Sequence, residues 1–396
     1  MAASVAGLAA VRFASTGRAG GMTGAAHPEA TLEEARAVAP LFDGQRLRLA
    51  REVLGLTQRA LAEALQDRLT AAALSQFEKG DARPSAASLV DLAEVTRFPL
   101  VFFARDPGVG DVAEIDGFFR SLRSTGVRHR RSHRAKAELV RLVAVALERS
   151  VQFPRRDVPR YPVRPDASRQ EVESVARRVR ETWDLPEGPI ANVIRTVERH
   201  GVVVARMLLE SDIVDAFSVP FADRPVIVLG KDKGRPDRSR WDCGHELGHL
   251  VMHDPDPQRS RHLEDQANWF AAELLLPAAE VRDLLPSSSD WKVLAELKVS
   301  WGVSMNAILQ RAKSLGVMPE AAYVQALKTM STRGWNRREP VQLPTVEEPV
   351  LLSRAAELLP RSGATLESLA AEIGLPVDLA IDIIGAASDP RPAVEF

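Results

Sequence analysis

Two imidazoles stand four residues apart in the stretch His245-Glu246-Leu247-Gly248-His249, a spacing that makes structural sense on a helix. Helical residues four apart lie one above the other on a single face, so the ring nitrogens of His245 and His249 can converge on one ion. Nitrogen donors in that arrangement are what a tetrahedral zinc takes. Glu246 projects about 100° round the helix, beside the ion and not onto it. A general base stands there to take a proton from water. A bare pattern of this kind also arises by chance, and then reads as two exposed histidines on an ordinary helix.

The flanks predict a helix over residues 237–253, stopped at Asp254-Pro255. Trp241, His245 and His249 share one face. Gly244 and Gly248 share a neighbouring one, where a second element can approach closely, as when such a helix beds against a sheet. Each glycine costs about 1 kcal/mol of helix propensity, so two of them point to packing. A catalytic zinc takes three protein ligands, so a third must lie elsewhere. His253 is nearest in sequence, but it sits about 6 Å further along the axis than His249 and is rotated away. Glu264 is preferred, because at helical period it falls on the stripe of Ala267, Ala271 and Leu275 that enters a core, where a carboxylate needs a partner. The alternative is a solvated glutamate favoured by the helix dipole. Glu273 reads as surface.

The 396 residues are enough for two or three domains, and 45% hydrophobic content is ample for real cores. One cysteine, Cys243, excludes an internal disulfide and fits a reducing cytoplasm. It reads as a small buried residue, with a thiolate switch on the metal as the alternative. No apolar run approaches the roughly 20 residues that span a bilayer, so no membrane contact is expected. The first 21 residues lack an apolar targeting core and read as disordered, with Met22 a second candidate start.

Residues 45–103 read as a bundle of short helices: 46–53, a second through Leu65 capped by Thr57, a third over 71–78 after Thr70 and closed by Gly80, and a fourth from Pro84-Ser85 to Thr96. Two short helices with a tight connection form a helix-turn-helix, whose second helix enters the major groove of DNA. Further on, residues 118–136 carry Arg120, Arg123, Arg128, Arg130, Arg131, Arg134 and Lys136, either as phosphate contacts beside the helix-turn-helix or as a solvated linker and helix face. Residues 134–149 predict an amphipathic helix with Leu139, Leu142, Val143 and Ala146 on one side. Pro154, Pro159, Pro162 and Pro165 predict an extended linker. A helix over 190–200, a strand over 201–209 and a hairpin over 216–229 precede the histidine helix. That sheet predicts an edge strand open to extended peptide. Helices over 291–298, 305–315 and 320–330 follow, and two short ones in the tail; residues 366–375 carry a weak second helix-turn-helix signal, and a small helical cap is preferred.

The elements LTQRALAEAL, LSQFEKG and RPSAASLVDLAE resemble the phage-repressor-type (XRE-type) DNA-binding family. That resemblance implies base contacts from Ala71, Ala72 and Gln76, and a phosphate or base-edge anchor at Gln58. Two alanines make no bidentate bonds to bases, although they can touch a thymine methyl. The segment is only slightly basic, so a helix-turn-helix kept for protein contact stays open. With FFRSLRST, DAFS, GHELGHLVMH, EDQANWFAAELLLP and WGVSMNAILQRAKSLGV, residues 118–330 resemble the ImmA/IrrE metallopeptidases, and the whole chain resembles their XRE-fused members.

The expected fold is mainly α with a small mixed sheet (α+β). It comprises a disordered extension (1–40), an all-α helix-turn-helix domain (41–105), a basic helical and Pro-rich linker (106–167), a zincin-like metallopeptidase domain (168–335) and a small helical C-terminal region (336–396). The resemblance implies Zn2+ held by His245, His249 and Glu264, with Glu246 as general base. Tyr323, His262 and Arg240 are unranked candidates for stabilising an oxyanion. Expected partners are DNA, a protein substrate such as a repressor, and a second copy of the chain, in the cytoplasm. The competing reading is a transcriptional regulator whose peptidase-like domain senses a ligand or dimerises without proteolysis.

Overall fold

The computed structural model describes residues 31–104, 127–209, 214–231, 235–254 and 261–385. Among them are seventeen α-helices and a three-stranded mixed sheet, in two compact units. The N-terminal 30 residues with Met22, the FFRSLRST run, and Arg120 and Arg123 lie outside the described residues. No described helix is long and apolar enough to cross a membrane.

In the first unit, order begins earlier than expected. Helix α1 (Leu32–Val38) opens with a capping box in which Thr31 Oγ accepts from the Glu34 amide and the Glu34 carboxylate accepts from the Thr31 amide. Ala35 is fully buried, so the expected disordered extension (1–40) does not hold from Thr31 onward. Helices α2 (Gly44–Val53), α3 (Gln58–Ala64), α4 (Ala71–Lys79) and α5 (Ala86–Thr96) are each entered through a side-chain cap, from Asp43, Thr57, Thr70 and Ser85. Their apolar faces meet in a core with Leu47, Leu61, Leu74, Leu89 and Phe102 all fully buried. Helix α6 (Val127–Glu148) packs on α2, and from Ala135 to Leu147 it is buried almost all round. The one-sided amphipathic helix expected there is thus a central one.

In the second unit, the apolar runs 203–207, 216–219 and 226–230 form strands β1 (Val203–Met207), β2 (Ala216–Val219) and β3 (Val226–Gly230) in the order β1-β3-β2. β1 runs parallel to β3, and β2 pairs antiparallel to it from Ala216↔Leu229 to Val219↔Val226. All four β2 residues are buried, against the expectation of an open edge. Helices α7 (Arg169–Thr182) and α8 (Val193–Arg199) precede the strands in sequence. The histidine helix α9 (Pro236–Met252) packs on α8, β2, β3 and α10 (Arg261–Leu275). It is the glycine face of α9 that receives α10: a Cβ on Gly248 would stand 2.9 Å from the Phe270 ring, whereas one on Gly244 would make ordinary contacts at 3.6–3.7 Å. The glycines therefore admit a helix and not the sheet.

Glu273, expected at the surface, is fully buried, because α10 lies between α9 and α7. Its carboxylate is neutralised by Arg311 and by Arg177 at 2.9 Å, and also accepts from the Ala278 amide at 3.3 Å. Helices α11 (Ala278–Val281), α12 (Trp291–Trp301), α13 (Met305–Ser314) and α14 (Glu320–Thr332) complete the helical part.

Two extended segments are pinned to this unit. In the Pro-rich stretch, the Tyr161 and Val163 amides donate to the carbonyls of Val251 and Met252, and Arg160 donates to those of Leu250 and His253, so it satisfies the open end of α9. After α14, Glu339 accepts from Lys298 Nζ at 2.7 Å and caps α13 through the Met305 amide, while Glu347 takes Arg240 and the Ile194 amide. The chain then rejoins the first unit through α15 (Leu351–Leu358), α16 (Leu366–Ile373) and α17 (Val377–Ile384), all three packed on α6. Contacts thus group residues 127–153 and 350–385 with the helix-turn-helix region, and 154–349 as the other unit, where a linker (106–167) and a separate tail (336–396) were expected. The tail has three helices instead of two, and α6 needs them to cover its apolar surface.

Candidate metal centre

Helix α9 supplies His245, Glu246 and His249, and the first turn of α10 supplies Glu264. Nε2 of His245 and Nε2 of His249 lie 3.1 Å apart, and the Glu264 oxygens stand 3.3 Å from the first and 3.5 Å from the second. Donors about 2.0–2.1 Å from a tetrahedral zinc are separated by about 3.4 Å. The two ring nitrogens have close to that spacing and face one carboxylate, Oε2 toward His245 and Oε1 toward His249, so the residues fit the ion. His253 is absent from this trio.

The surrounding hydrogen bonds decide which ring nitrogens carry protons. Asn268 Oδ1 accepts from Trp241 Nε1 at 3.3 Å and faces His245 Nδ1 at 3.2 Å, so Nδ1 bears the hydrogen and Nε2 of the neutral ring keeps its lone pair. For His249 the chain of inference is longer. Gln266 Nε2 donates to the carbonyls of Arg164 and Pro165 at 2.8 and 3.2 Å, which turns Oε1 toward His253 Nε2 at 3.0 Å. His253 thus donates from Nε2, and its Nδ1 accepts, 2.8 Å from His249 Nδ1. His249 is left with Nε2 facing Glu264. The histidine set aside as a ligand holds the ligand's tautomer, and the Pro-rich stretch anchors the relay.

Electrostatics shows how far these groups want a cation. Burial opposes charge on His245, but the Glu264 hydrogen bond and the charges of Glu246, Glu264 and Asp242 outweigh it and raise its pKa to about 9. Burial works the other way on Glu264, where hydrogen bonds and charge from both histidines hold the carboxyl far below its usual range. Asp242, largely buried one turn before Glu246, is pushed up to about 7 by burial, with Arg238 opposing. Burial raises the Cys243 thiol well above its usual pKa, which favours the small-residue reading over a thiolate.

Glu246 is buried beside this trio, and Ser218 Oγ on β2 donates to its Oε2 at 2.7 Å. Ser218 was missed as a site residue, although it closes the DAFS run. His253 and Asn268 could have been found from their spacing, four residues after His249 and Glu264. His245, Glu246 and Glu264 open onto a cleft of about 840 Å³ walled also by Trp241, Trp269 and Tyr323. Of the three oxyanion candidates, only Tyr323 lines it. Arg240 is buried against Glu347 and the Ile190 carbonyl, and His262 is exposed elsewhere.

In the first unit, Ala72 and Gln76 are exposed on α4 and Ala71 is half-buried. Gln58 is turned inward: its Nε2 donates to Glu78 at 2.9 Å, because that buried carboxylate, paired with Arg51 at 2.5 Å, still accepts donors. The phosphate or base-edge anchor expected at Gln58 thus has its amide already engaged within the domain.

Residues 197–313 match the family model of M78 peptidases, described as the IrrE N-terminal-like domain, and residues 47–103 match the one described as helix-turn-helix. The chain joins a helix-turn-helix to an IrrE-like domain. A protein of Sinorhizobium medicae (strain WSM419) and one of Rhizobium meliloti (strain 1021), each named as an uncharacterized HTH-type transcriptional regulator, are 37% identical to it over 68 residues. The match covers 17% of this chain and 48% of each relative, so the chain spans about half the length of the curated relatives it matches. The IrrE-like match contains the whole candidate centre from Ser218 to Asn268.

Proposed function

We propose that this chain is a DNA-binding regulator whose IrrE-like domain is a zinc-dependent endopeptidase acting on a regulatory protein such as a repressor. The observation that carries the reading is the convergence of His245, His249 and Glu264, two ring nitrogens 3.1 Å apart facing one carboxylate, beside the buried carboxylate of Glu246. His245, His249 and Glu264 hold the ion. Zinc bound there supplies Lewis acidity, acidifying a water and polarising a carbonyl. Glu246 takes the water proton and passes it to the leaving nitrogen. Ser218 orients that carboxylate by donating to its Oε2. Tyr323, in the cleft wall, is placed to meet substrate. In the other unit, Ala72 and Gln76 face bases and the helix-turn-helix directs the peptidase to its site of action.

A second reading, a ligand-sensing regulator without proteolysis, draws support from the cleft, whose volume is within the range of small-molecule sites. Zinc analysis of the purified protein, and incubation of candidate repressors with wild type and Glu246→Gln, separates the two. Cleavage that the variant loses while it keeps zinc upholds the enzyme. A zinc-loaded protein that cleaves nothing, and whose variant still supports target-gene induction, overturns it.

A further inference from the structure

Affinity for duplex DNA rests largely on cations that neutralise phosphates, and the helix-turn-helix region has few to spare. Between residues 44 and 104, eight Arg and Lys stand against seven Asp and Glu. Four of the arginines are already in ion pairs: Arg48 with Glu52, Arg51 with Glu78, Arg59 with Glu63 and Arg68 with Asp91. Arg46 is buried. Residues 127–136 have the opposite character, with five cations and no acid in ten positions.

The fold fixes that cationic stretch against the motif. Ser132 Oγ on α6 donates to the Val53 carbonyl, at the end of α2, at 3.4 Å. The Arg128 guanidinium lies 3.7 Å from where a Cβ on Gly55 would stand. Gly55, held at φ +64°, begins the turn that leads into α3, the first helix of the helix-turn-helix. Arg128 and Arg131 are exposed and Arg130 half-exposed, and among the described residues none of the three has an ion pair. A buried α6 body thus presents an arginine-rich first turn, with Arg128, Arg130 and Arg131 in no ion pair among the described residues, beside the α2–α3 turn.

We infer that the first turns of α6, through Arg128, Arg130 and Arg131, contact the DNA backbone next to the helix-turn-helix and supply much of the electrostatic binding that the motif itself lacks. The inference rests on the DNA-binding reading above. Sequence discrimination stays with α4, since phosphate contacts carry no base information.

The test is fluorescence anisotropy of the full chain on a mixed-sequence B-form duplex over a salt series. The variants are Arg128→Gln/Arg130→Gln/Arg131→Gln, the same triple to Lys, and a control triple, Lys328→Gln/Arg337→Gln/Arg338→Gln, that removes equal charge in the other unit. At roughly 0.9 per phosphate contact, the Gln triple flattens the slope of log affinity against log salt by about 2.7. Between 50 and 200 mM salt it therefore loses about 40-fold less affinity than wild type. The Lys triple and the control keep the wild-type slope, and circular dichroism of the Gln triple stays unchanged. A Gln triple with the wild-type slope, or a control that flattens it equally, overturns the inference and leaves DNA binding standing. A wild type that binds no duplex at low salt overturns both.

Discussion

Removing Glu264 and removing His253 should weaken zinc binding to different degrees and for different reasons. Glu264→Ala deletes one of three protein donors and the carboxylate charge that balances the ion. Structural zinc sites bind with about 10–16 kcal/mol over four ligands, or about 3–4 kcal/mol each, so the loss is roughly 10²–10³-fold in affinity. His253→Ala leaves every donor in place and removes only the acceptor, 2.8 Å from His249 Nδ1, that fixes the tautomer. Loss of such an outer partner costs about 10–100-fold. Gln266→Ala acts on the same relay one step further out, so the double variant His253→Ala/Gln266→Ala should bind zinc no more weakly than His253→Ala alone. Competition against a chromophoric chelator at fixed pH measures all four proteins. Equal losses in Glu264→Ala and His253→Ala would remove Glu264 from the ligand set, and additive losses in the double variant would break the relay.

Ser218→Ala should lower kcat by about 10–100-fold with KM little changed, since a hydrogen bond to a charged group contributes about 1.5–3 kcal/mol; steady-state kinetics on a cleaved substrate decides, and an unchanged kcat counts against Glu246 as the base. Zinc affinity should rise with pH and level off near 9: the metal-free His245, with its pKa raised to about 9, is protonated below that value and must release its proton, at about tenfold per pH unit. Affinities measured across pH 6–10, with proton release by calorimetry, test the slope. Gly248→Ala should lower the melting temperature by the equivalent of about 1–3 kcal/mol, because its Cβ meets the Phe270 ring, whereas Gly244→Ala should be neutral or stabilising. Thermal denaturation of the pair shows whether the two glycines differ.

The candidate centre was largely legible because helical spacing is local. Two histidines four apart and a carboxylate on a core-facing stripe place donors without knowledge of the rest of the fold. Glu273 was misread by the same logic: helical period put it opposite the stripe, but α7 covers that side and Arg311 and Arg177, distant in sequence, neutralise it. Helix α6 failed similarly, since the helices that bury its second face come some 200 residues later. The Thr31-Glu34 capping box was legible in principle, but it adjoins a stretch read as structureless. Gln58 turned inward because a buried Glu78 needed its amide, a demand that no local pattern displays.

The docked Pro-rich stretch has a practical consequence for anyone dissecting this chain. The recognisable pattern of the IrrE-like domain runs over residues 197–313, but its supports lie outside that span. The Arg164 and Pro165 carbonyls steady Gln266 from one side, and Glu339 and Glu347 clamp α9, α12 and α13 from the other. A fragment cut at the pattern's borders forfeits both, so a fragment meant to keep the candidate centre supported must include at least residues 154–349.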